Sequence, residues 1–132
     1  MDLTAISEIG DYFESEILQL KNALPTAEGA IEIAMRELPV VLEGCKIAVV
    51  GYGRIGEVLS HKLKLLGANV SVYARRREVC ARAELLGHPS HYMAGDIPLQ
   101  FDRDTRLVLN TVPSRLFTHS VLERLPRDCI II

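Results

Sequence analysis

Residues 46–78 read KIAVVGYGRIGEVLSHKLKLLGANVSVYARRRE, and this stretch decides the fold. It opens with the largely apolar run Lys46–Val50, which is typical of a parallel strand covered on both faces. Glycines at positions 51, 53 and 56 follow in the pattern G-x-G-x-x-G, and apolar residues then repeat at helical spacing. A second strand is expected at Asn69–Tyr73, followed by Ala74 and three arginines. The order strand, glycine turn, helix, strand indicates a βαβ unit.

Strands and helices continue to alternate after this unit. The expected elements are a helix at Arg77–Leu86, a short strand at Ser90–Met93, a loop or single helical turn at Asp96–Thr105, a strand at Arg106–Val112, a helix at Thr118–Arg124 and the start of a fifth strand at Cys129–Ile132. Such alternation builds a parallel sheet with helices on both faces, in the order 3-2-1-4-5. The sequence therefore predicts an α/β fold of the Rossmann type, a doubly wound parallel sheet of about five strands with N-terminal helices.

The first 44 residues are expected to be helical. Apolar residues recur at steps of three and four from Ile6 to Leu24, which predicts a helix with one apolar stripe. Pro25 and Thr26 are expected to end it, with Thr26 capping a second helix that Pro39 terminates. Because the stripe needs a partner surface, we expect it to contact either the domain itself or a second copy in a homo-oligomer.

Composition and charge exclude several classes of function. The 132 residues, 48% hydrophobic and 24% charged, suit one globular domain. A net charge of -2 argues against nucleic acid or an anionic membrane as partners, and no apolar run is long enough to span a bilayer. Three widely spaced cysteines predict reduced, buried thiols in a cytoplasmic protein. No cluster of histidine and cysteine predicts a metal site.

The glycine turn is the first candidate site. Gly51 would allow a tight turn, Gly53 would let the backbone approach a pyrophosphate, and Gly56 would let helix and strand pack closely. Tyr52 and Arg54 are expected to point out of the turn, toward the cofactor. The turn residues expected to bind a dinucleotide are Gly51, Tyr52, Gly53, Arg54, Ile55 and Gly56. No catalytic residue is identified, since the four histidines lack spaced carboxylate partners and are expected at the surface or in packing.

The end of the second strand is expected to select the cofactor. An acid there would bind both ribose hydroxyls of NAD, but this chain has Ala74 followed by Arg75, Arg76 and Arg77. A small residue leaves room, and guanidinium groups bind a 2'-phosphate bidentately. NADP is therefore expected in preference to NAD. A third contact, near the nicotinamide, is expected at Thr111, Val112 and Pro113.

Four segments occur in the order P-T-A-E-G-A-I-E-I-A-M, V-V-G-Y-G-R-I-G, L-K-L-L-G-A-N-V-S-V-Y-A-R-R and L-N-T-V-P. Together they resemble the A subunits of dipicolinate synthase, from about Leu24 to Ile132. The resemblance implies an NADP site of the reductase type, an N-terminal substrate domain and a partner B subunit. It also implies oxidation of a dihydrodipicolinate-type precursor to dipicolinate in sporulating bacteria. By position, Thr26 and Glu28 would lie near the cleft between domains.

The family has a whole domain before the position of Pro25 and continues past the fifth strand into a D-L-A-S-x-P-G-G-like segment. This chain has only a short stretch before Pro25 and stops before that segment. We therefore expect residues 1–44 to be N-terminal helices that serve between domains or in oligomerisation. Residues 45–132 would be an NADP-binding domain truncated at its C-terminal end, inactive as this fragment alone.

The glycine motif alone would equally suit D-2-hydroxyacid dehydrogenases or adenosylhomocysteine hydrolase.

Two interpretations from other functional classes also stay open. A regulatory nucleotide-binding module, such as a gating domain of potassium channels, has a similar length, but the 45 residues before Lys46 and the arginines argue against it. A degenerate Rossmann domain kept for assembly through the N-terminal helix is the other alternative. Affinity for a dinucleotide separates it from the oxidoreductase.

Overall fold

The computed structural model describes residues 3–93, 100–112 and 130–131, without the side chains of residues 3–16, 19, 20, 130 and 131. Within these ranges the elements are α1 (Leu3–Glu37), β1 (Lys46–Val50), α2 (Arg54–Leu65), β2 (Asn69–Ala74), α3 (Arg77–Leu85), β3 (Ser90–Tyr92), β4 (Leu107–Asn110) and β5 (Ile130–Ile131).

The strands form one parallel sheet in the order β3-β2-β1-β4-β5. Strand β1 is central, and its Ile47 lies opposite Val70 of β2 and Leu107 of β4. The chain leaves β1 toward β2 and later returns to pair β4 on the other side of β1. This reversal places the switch point of the sheet between β1 and β4, where a crevice opens at the carboxyl ends. The Rossmann-type fold and its strand order are confirmed.

Both faces of the sheet are buried, as the apolar strands require. On one face Ile47, Val49 and Leu109 pack in a core with α2 and the second half of α1. On the other face Val50 and Val108 belong to a smaller cluster. Each fully buried side chain of this size contributes about 1.5–3 kcal/mol through its removal from water. This burial fixes β1 and β4 side by side and so holds the crevice in place.

The N-terminal region forms one helix instead of two. Helix α1 has 35 residues, about 52 Å in length, and Pro25 lies inside it. The expectation that Pro25 and Thr26 end a first helix is therefore wrong, and Thr26 donates its hydroxyl to the Asn22 carbonyl (3.1 Å) instead of capping. Proline removes one backbone hydrogen bond, but Ala27 and Ile31 beyond it are buried in the core. Tertiary packing thus outweighs the local break.

The remaining boundaries follow the sequence closely. Helix α1 ends two residues before Pro39, and Gly67 and Gly87 follow α2 and α3 with φ of +91° each. Strand β4 is shorter than expected, and residues 100–105 are a loop without a helix. The helix expected at Thr118–Arg124 lies outside the described residues. In the described part of the chain, no helix combines the length and apolar character needed to cross a membrane.

Candidate functional site

Gly51 connects β1 to the turn and is enclosed by the end of β4. Its φ is +98°, and its N–H donates to the Tyr73 carbonyl (2.7 Å), which prolongs the pairing of β1 with β2. A Cβ at position 51 would overlap Thr111 Oγ1 and lie 2.6 Å from Val112 Cγ1. Glycine is therefore required here by both the backbone conformation and the close approach of the neighbouring chain.

Gly56 and Gly53 have different surroundings. A Cβ on Gly56 would overlap the Gly51 carbonyl oxygen and lie 3.3 Å from Thr111 Oγ1, so the first turn of α2 packs directly on the glycine turn. Gly53 has a φ of -78°, and no heavy atom of the described chain lies within 4 Å of an added Cβ. Neither backbone conformation nor packing within the described residues requires glycine at position 53. As far as the described residues go, a ligand has room to approach the backbone at Gly53.

The end of β4 lies beside the glycine turn, held by hydrogen bonds. Thr111 donates both its backbone N–H (2.9 Å) and its hydroxyl (2.8 Å) to the Val50 carbonyl. The N–H of Val112 donates to Asn110 Oδ1 (3.1 Å), which fixes the orientation of that amide. The structure thus brings Thr111 and Val112 to the glycine turn, although they are about 60 positions apart in sequence. Pro113, the third residue predicted there, lies outside the described residues.

The arginines follow β2 at the same edge of the sheet. Ala74, the last residue of β2, is buried, whereas Arg75 and Arg76 are exposed. Arg76 precedes α3 as its N-cap and lies 3.6 Å from the Glu78 carboxylate. This pair is exposed on both sides and adds little to stability. Arg75 and Arg76 are thus exposed residues at the carboxyl end of β2.

Arg77 is held differently from the other two arginines. Its guanidinium lies over the ring of Tyr92 in β3, 4.8 Å from the ring centroid. No role was expected for Tyr92 from the sequence. The sequence did show an aromatic residue near the end of the short strand predicted beside β2. Its position next to the arginines follows only from the β2–β3 register, in which Tyr92 lies opposite Ala74.

The expectation that Tyr52 points out of the glycine turn is wrong. Its side chain is 4% exposed, packs with Val72 and Ala83, and meets the His88 ring edge-on, with centroids 6.0 Å apart. Arg82 covers it from α3, donating to the Tyr52 carbonyl (3.0 Å) and lying 5.5 Å over the ring. Burial raises the pKa of the Tyr52 hydroxyl. The side chain is used for packing, because the turn directs position 52 into the layer between sheet and α3.

Arg54 and Ile55, the other two turn residues predicted to bind a dinucleotide, open α2. Arg54 is exposed and Ile55 is half-buried. Ile55 lines a cavity of about 300 Å³ between α1, α2 and the end of β4. The cavity is lined by Thr26, Ala30, Ile55, Leu59, Leu109, Asn110, Thr111 and Val112.

Thr26 thus lies near the crevice of the sheet, and its place near a cleft between domains stays a prediction. Glu28 points elsewhere and pairs with Lys62 on the surface (3.3 Å).

A larger cavity, about 1140 Å³, lies at the opposite, amino ends of the strands, where Lys46 Nζ pairs with Asp102 Oδ2 (2.7 Å). Ligands of this fold bind at the carboxyl ends, so the smaller cavity belongs to the candidate site and the larger one does not.

The remaining candidate groups, the histidines and cysteines, differ in burial. His88 is buried, His61 and His91 are exposed, and His119 lies outside the described residues. Cys45 and Cys80 are buried free thiols, and burial raises the pKa of Cys45. Among the described residues, no group of three or more histidine, cysteine, aspartate or glutamate side chains could hold a metal ion.

Comparisons with known proteins agree with the Rossmann-type fold. No family model matches the chain. It is 31% identical over 121 residues to the A subunit of dipicolinate synthase from Bacillus subtilis (strain 168), which is 91% of this chain and 40% of that protein. The crystal structure of a dipicolinate synthase A chain from Bacillus subtilis superposes with a TM-score of 0.78 at 30% identity, over 86% of this chain and 37% of the other. The resemblance to the A subunits of dipicolinate synthase is confirmed.

Other solved structures extend the comparison. The A subunit of dipicolinate synthase from Bacillus halodurans has a TM-score of 0.77 at 28% identity, with 91% of this chain and 40% of the other covered. CAD from Helicobacter pylori, complexed with NADP(H), has a TM-score of 0.65 at 23% identity, over 83% of this chain and 29% of the other. The second likeness shows the shared fold. The chain spans about 40% of the length of the dipicolinate synthase A subunits that it matches.

Proposed function

We propose that this chain binds a nicotinamide dinucleotide across its glycine turn, with NADP preferred. It would be the cofactor-binding part of an oxidoreductase resembling the A subunits of dipicolinate synthase. The observation that carries the proposal is the open glycine at position 53, between two glycines that packing requires. A turn that served structure alone would need Gly51 and Gly56 but would tolerate a side chain at Gly53.

The start of α2 suits the pyrophosphate. Gly53 is its N-cap and has no side chain to accept from the first amides of the helix. These N–H groups, together with about half a positive charge at the helix N-terminus, favour an anion. Gly51 and Gly56 set the turn against the end of β4, so a diphosphate over Gly53 would lie at the switch point of the sheet.

Arg75 and Arg76 support the preference for NADP. The adenosine ribose of a dinucleotide bound over the glycine turn lies at the carboxyl end of β2. There the chain offers the small, buried Ala74 and two exposed guanidinium groups, with no carboxylate at the strand end itself. A 2'-phosphate fits this charge, whereas the free 2'-hydroxyl of NAD would lack the carboxylate that usually binds it.

In the proposed reaction the nicotinamide supplies hydride chemistry, and the chain supplies positioning. We propose a dihydrodipicolinate-type precursor as substrate, dipicolinate as product, the cytoplasm as location and, as partner, a B subunit. These proposals rest on the resemblance to a protein of which the chain spans about 40%. The division into residues 1–44 and 45–132 likewise stays a proposal. Ala27 and Ile31, in the first of these two parts, are buried in the core against the sheet.

The Gly53→Val substitution tests the proposed site directly. Isothermal titration of the purified chain with NADPH should show binding, and Gly53→Val should weaken it at least about tenfold, because the new side chain fills the approach to the helix N-terminus. The urea unfolding midpoint should change little, since no neighbour lies within 4 Å. Gly29→Ala, which also meets no neighbour, is the matched control and should bind as the original chain does. Equal NADPH affinity in Gly53→Val would contradict the site.

A role in assembly is the second candidate function. The side chains of Ile17 and Leu18 on α1 are 52% and 59% exposed, and Leu24 is also exposed. Apolar side chains at these positions favour a partner surface along the helix. The same titration separates the two functions when combined with sedimentation analysis. An oligomer without affinity for NADPH or NADH would support the assembly role alone.

A further inference from the structure

We propose that the cavity between α1, α2 and the end of β4 recognises the carboxamide of the nicotinamide, with Asn110 as the hydrogen-bond donor and Thr26 as the acceptor. The proposal rests on the proposed dinucleotide site and gives roles to two residues to which the sequence alone assigned none. The cavity has a volume of about 300 Å³, at the lower end of the range for small-molecule sites. Its polar groups decide which chemical group fits.

Asn110 offers a donor in a fixed orientation. Its Oδ1 accepts from the Val112 N–H (3.1 Å), so the oxygen faces its own loop. The Nδ2 group is therefore the part of the amide left to the cavity, and it meets no acceptor among the described residues. An amide whose oxygen is held by backbone keeps its two N–H donors in one direction. A ligand at this position should present an acceptor oxygen to Asn110.

The two threonines offer acceptors. Thr26 donates its hydroxyl hydrogen to the Asn22 carbonyl (3.1 Å), and Thr111 donates its own to the Val50 carbonyl (2.8 Å). Each hydroxyl oxygen then has only lone pairs to offer to a ligand in the cavity. A ligand beside them should present an N–H or O–H donor.

A carboxamide matches this arrangement, since it carries one acceptor oxygen and one donor NH₂ group. A carboxylate would place an oxygen against the hydroxyl lone pairs, and an acetyl group would place a methyl there. Apolar side chains from both helices and from β4 form the rest of the wall and suit a flat ring. These apolar residues are Ala30, Ile55, Leu59 and Leu109. Because Thr111 also packs against Gly51, the cavity adjoins the turn proposed to hold the pyrophosphate.

The test compares three probes by isothermal titration of the full chain. The probes are NADP⁺, 2'-phospho-ADP-ribose, which lacks the nicotinamide, and the 3-acetylpyridine analogue of NADP⁺, which lacks the NH₂ donor. We expect NADP⁺ to bind at least about twofold more tightly than either of the others, since one hydrogen bond contributes roughly 0.5–1.5 kcal/mol, or a factor of about 2 to 10.

Two variants assign the effect to residues. Asn110→Asp keeps an oxygen for the Val112 N–H but replaces the donor, and Thr26→Val removes the acceptor. Asn110→Asp should weaken the binding of NADP⁺ about three- to tenfold and leave the affinity for 2'-phospho-ADP-ribose unchanged. The Thr26→Val chain should bind NADP⁺ no more tightly than that same chain binds the acetylpyridine analogue. Asn69→Asp, at the opposite edge of the sheet, is the matched control and should keep the original pattern.

The outcomes separate this inference from the proposed function. If NADP⁺ and 2'-phospho-ADP-ribose bind the original chain equally well, the carboxamide site is wrong and the dinucleotide site stands. If the variants weaken the binding of NADP⁺ and of 2'-phospho-ADP-ribose to the same extent, Asn110 and Thr26 do not recognise the carboxamide. If none of the probes binds, the proposed dinucleotide site fails, and the carboxamide site fails with it.

Discussion

The three glycines of the turn have three different reasons to be glycine. The pattern and its place between strand and helix predicted the turn correctly. The sequence could not show that Gly51 and Gly56 are enclosed by Thr111, because that contact depends on β4 returning beside β1. It also could not show that Tyr52 turns inward, since the spacing of the motif leaves the direction of position 52 open. Contacts between distant segments, absent from local patterns, decide both points.

His88 makes stability depend on pH at the residue scale. Burial, followed by the nearby charges of Lys64 and His61, lowers the pKa of His88 below its usual 6.5. The native state therefore keeps His88 neutral while the unfolded chain takes up a proton below about pH 6.5. Its contribution to stability is complete above that pH and is lost as the pH falls toward the lower native pKa. Urea unfolding should give a smaller free energy at about pH 5.5 than at about pH 7.5.

The His88→Leu variant tests the source of this pH dependence. The difference in unfolding free energy between about pH 7.5 and 5.5 should shrink in His88→Leu, because the buried titrating group is gone. His91→Gln, at an exposed histidine, is the control and should keep most of the difference. An unchanged difference in His88→Leu would assign the effect to other groups.

Helix α1 shows where local rules fail at the element scale. Its apolar periodicity and its end before Pro39 were predicted, but the break at Pro25 was not found. A proline normally ends a helix, since it removes a backbone hydrogen bond and crowds the preceding turn. Ala27, Ile31 and Ala34 lie just beyond it and are buried in the core with α2 and the sheet. Their burial is a tertiary effect that the local sequence around Pro25 does not encode.

Pro25→Ala should therefore stabilise the chain. It restores a backbone donor within α1 and removes the ring from the helix interior, so the free energy of unfolding should rise by about 1–3 kcal/mol. Urea unfolding followed by far-ultraviolet circular dichroism measures the change. Lys21→Ala, at an exposed position of the same helix, should change stability by no more than about 0.5 kcal/mol. A less stable Pro25→Ala would mean that α1 needs its proline.

At the scale of the whole molecule, alternation of strands and helices was enough to predict the sheet order. Parallel strands joined by right-handed crossovers leave few other arrangements, so the order 3-2-1-4-5 followed from the pattern. The carboxyl edge of that sheet then brings together the glycine turn, the arginines after β2 and the end of β4. The contribution of α1 to the crevice through Thr26 depended on the uninterrupted helix, so the residues alone could not place it.

The central claim is that this edge binds NADP in preference to NAD. Isothermal titration should give a dissociation constant for NADPH at least about tenfold below that for NADH, since charge-assisted hydrogen bonds contribute roughly 1.5–3 kcal/mol. The Arg75→Ala/Arg76→Ala chain should bind both nearly equally, whereas Arg103→Ala, an exposed arginine before β4, should keep the preference. Equal affinities in the original chain, or a preference that survives the double substitution, would contradict the account.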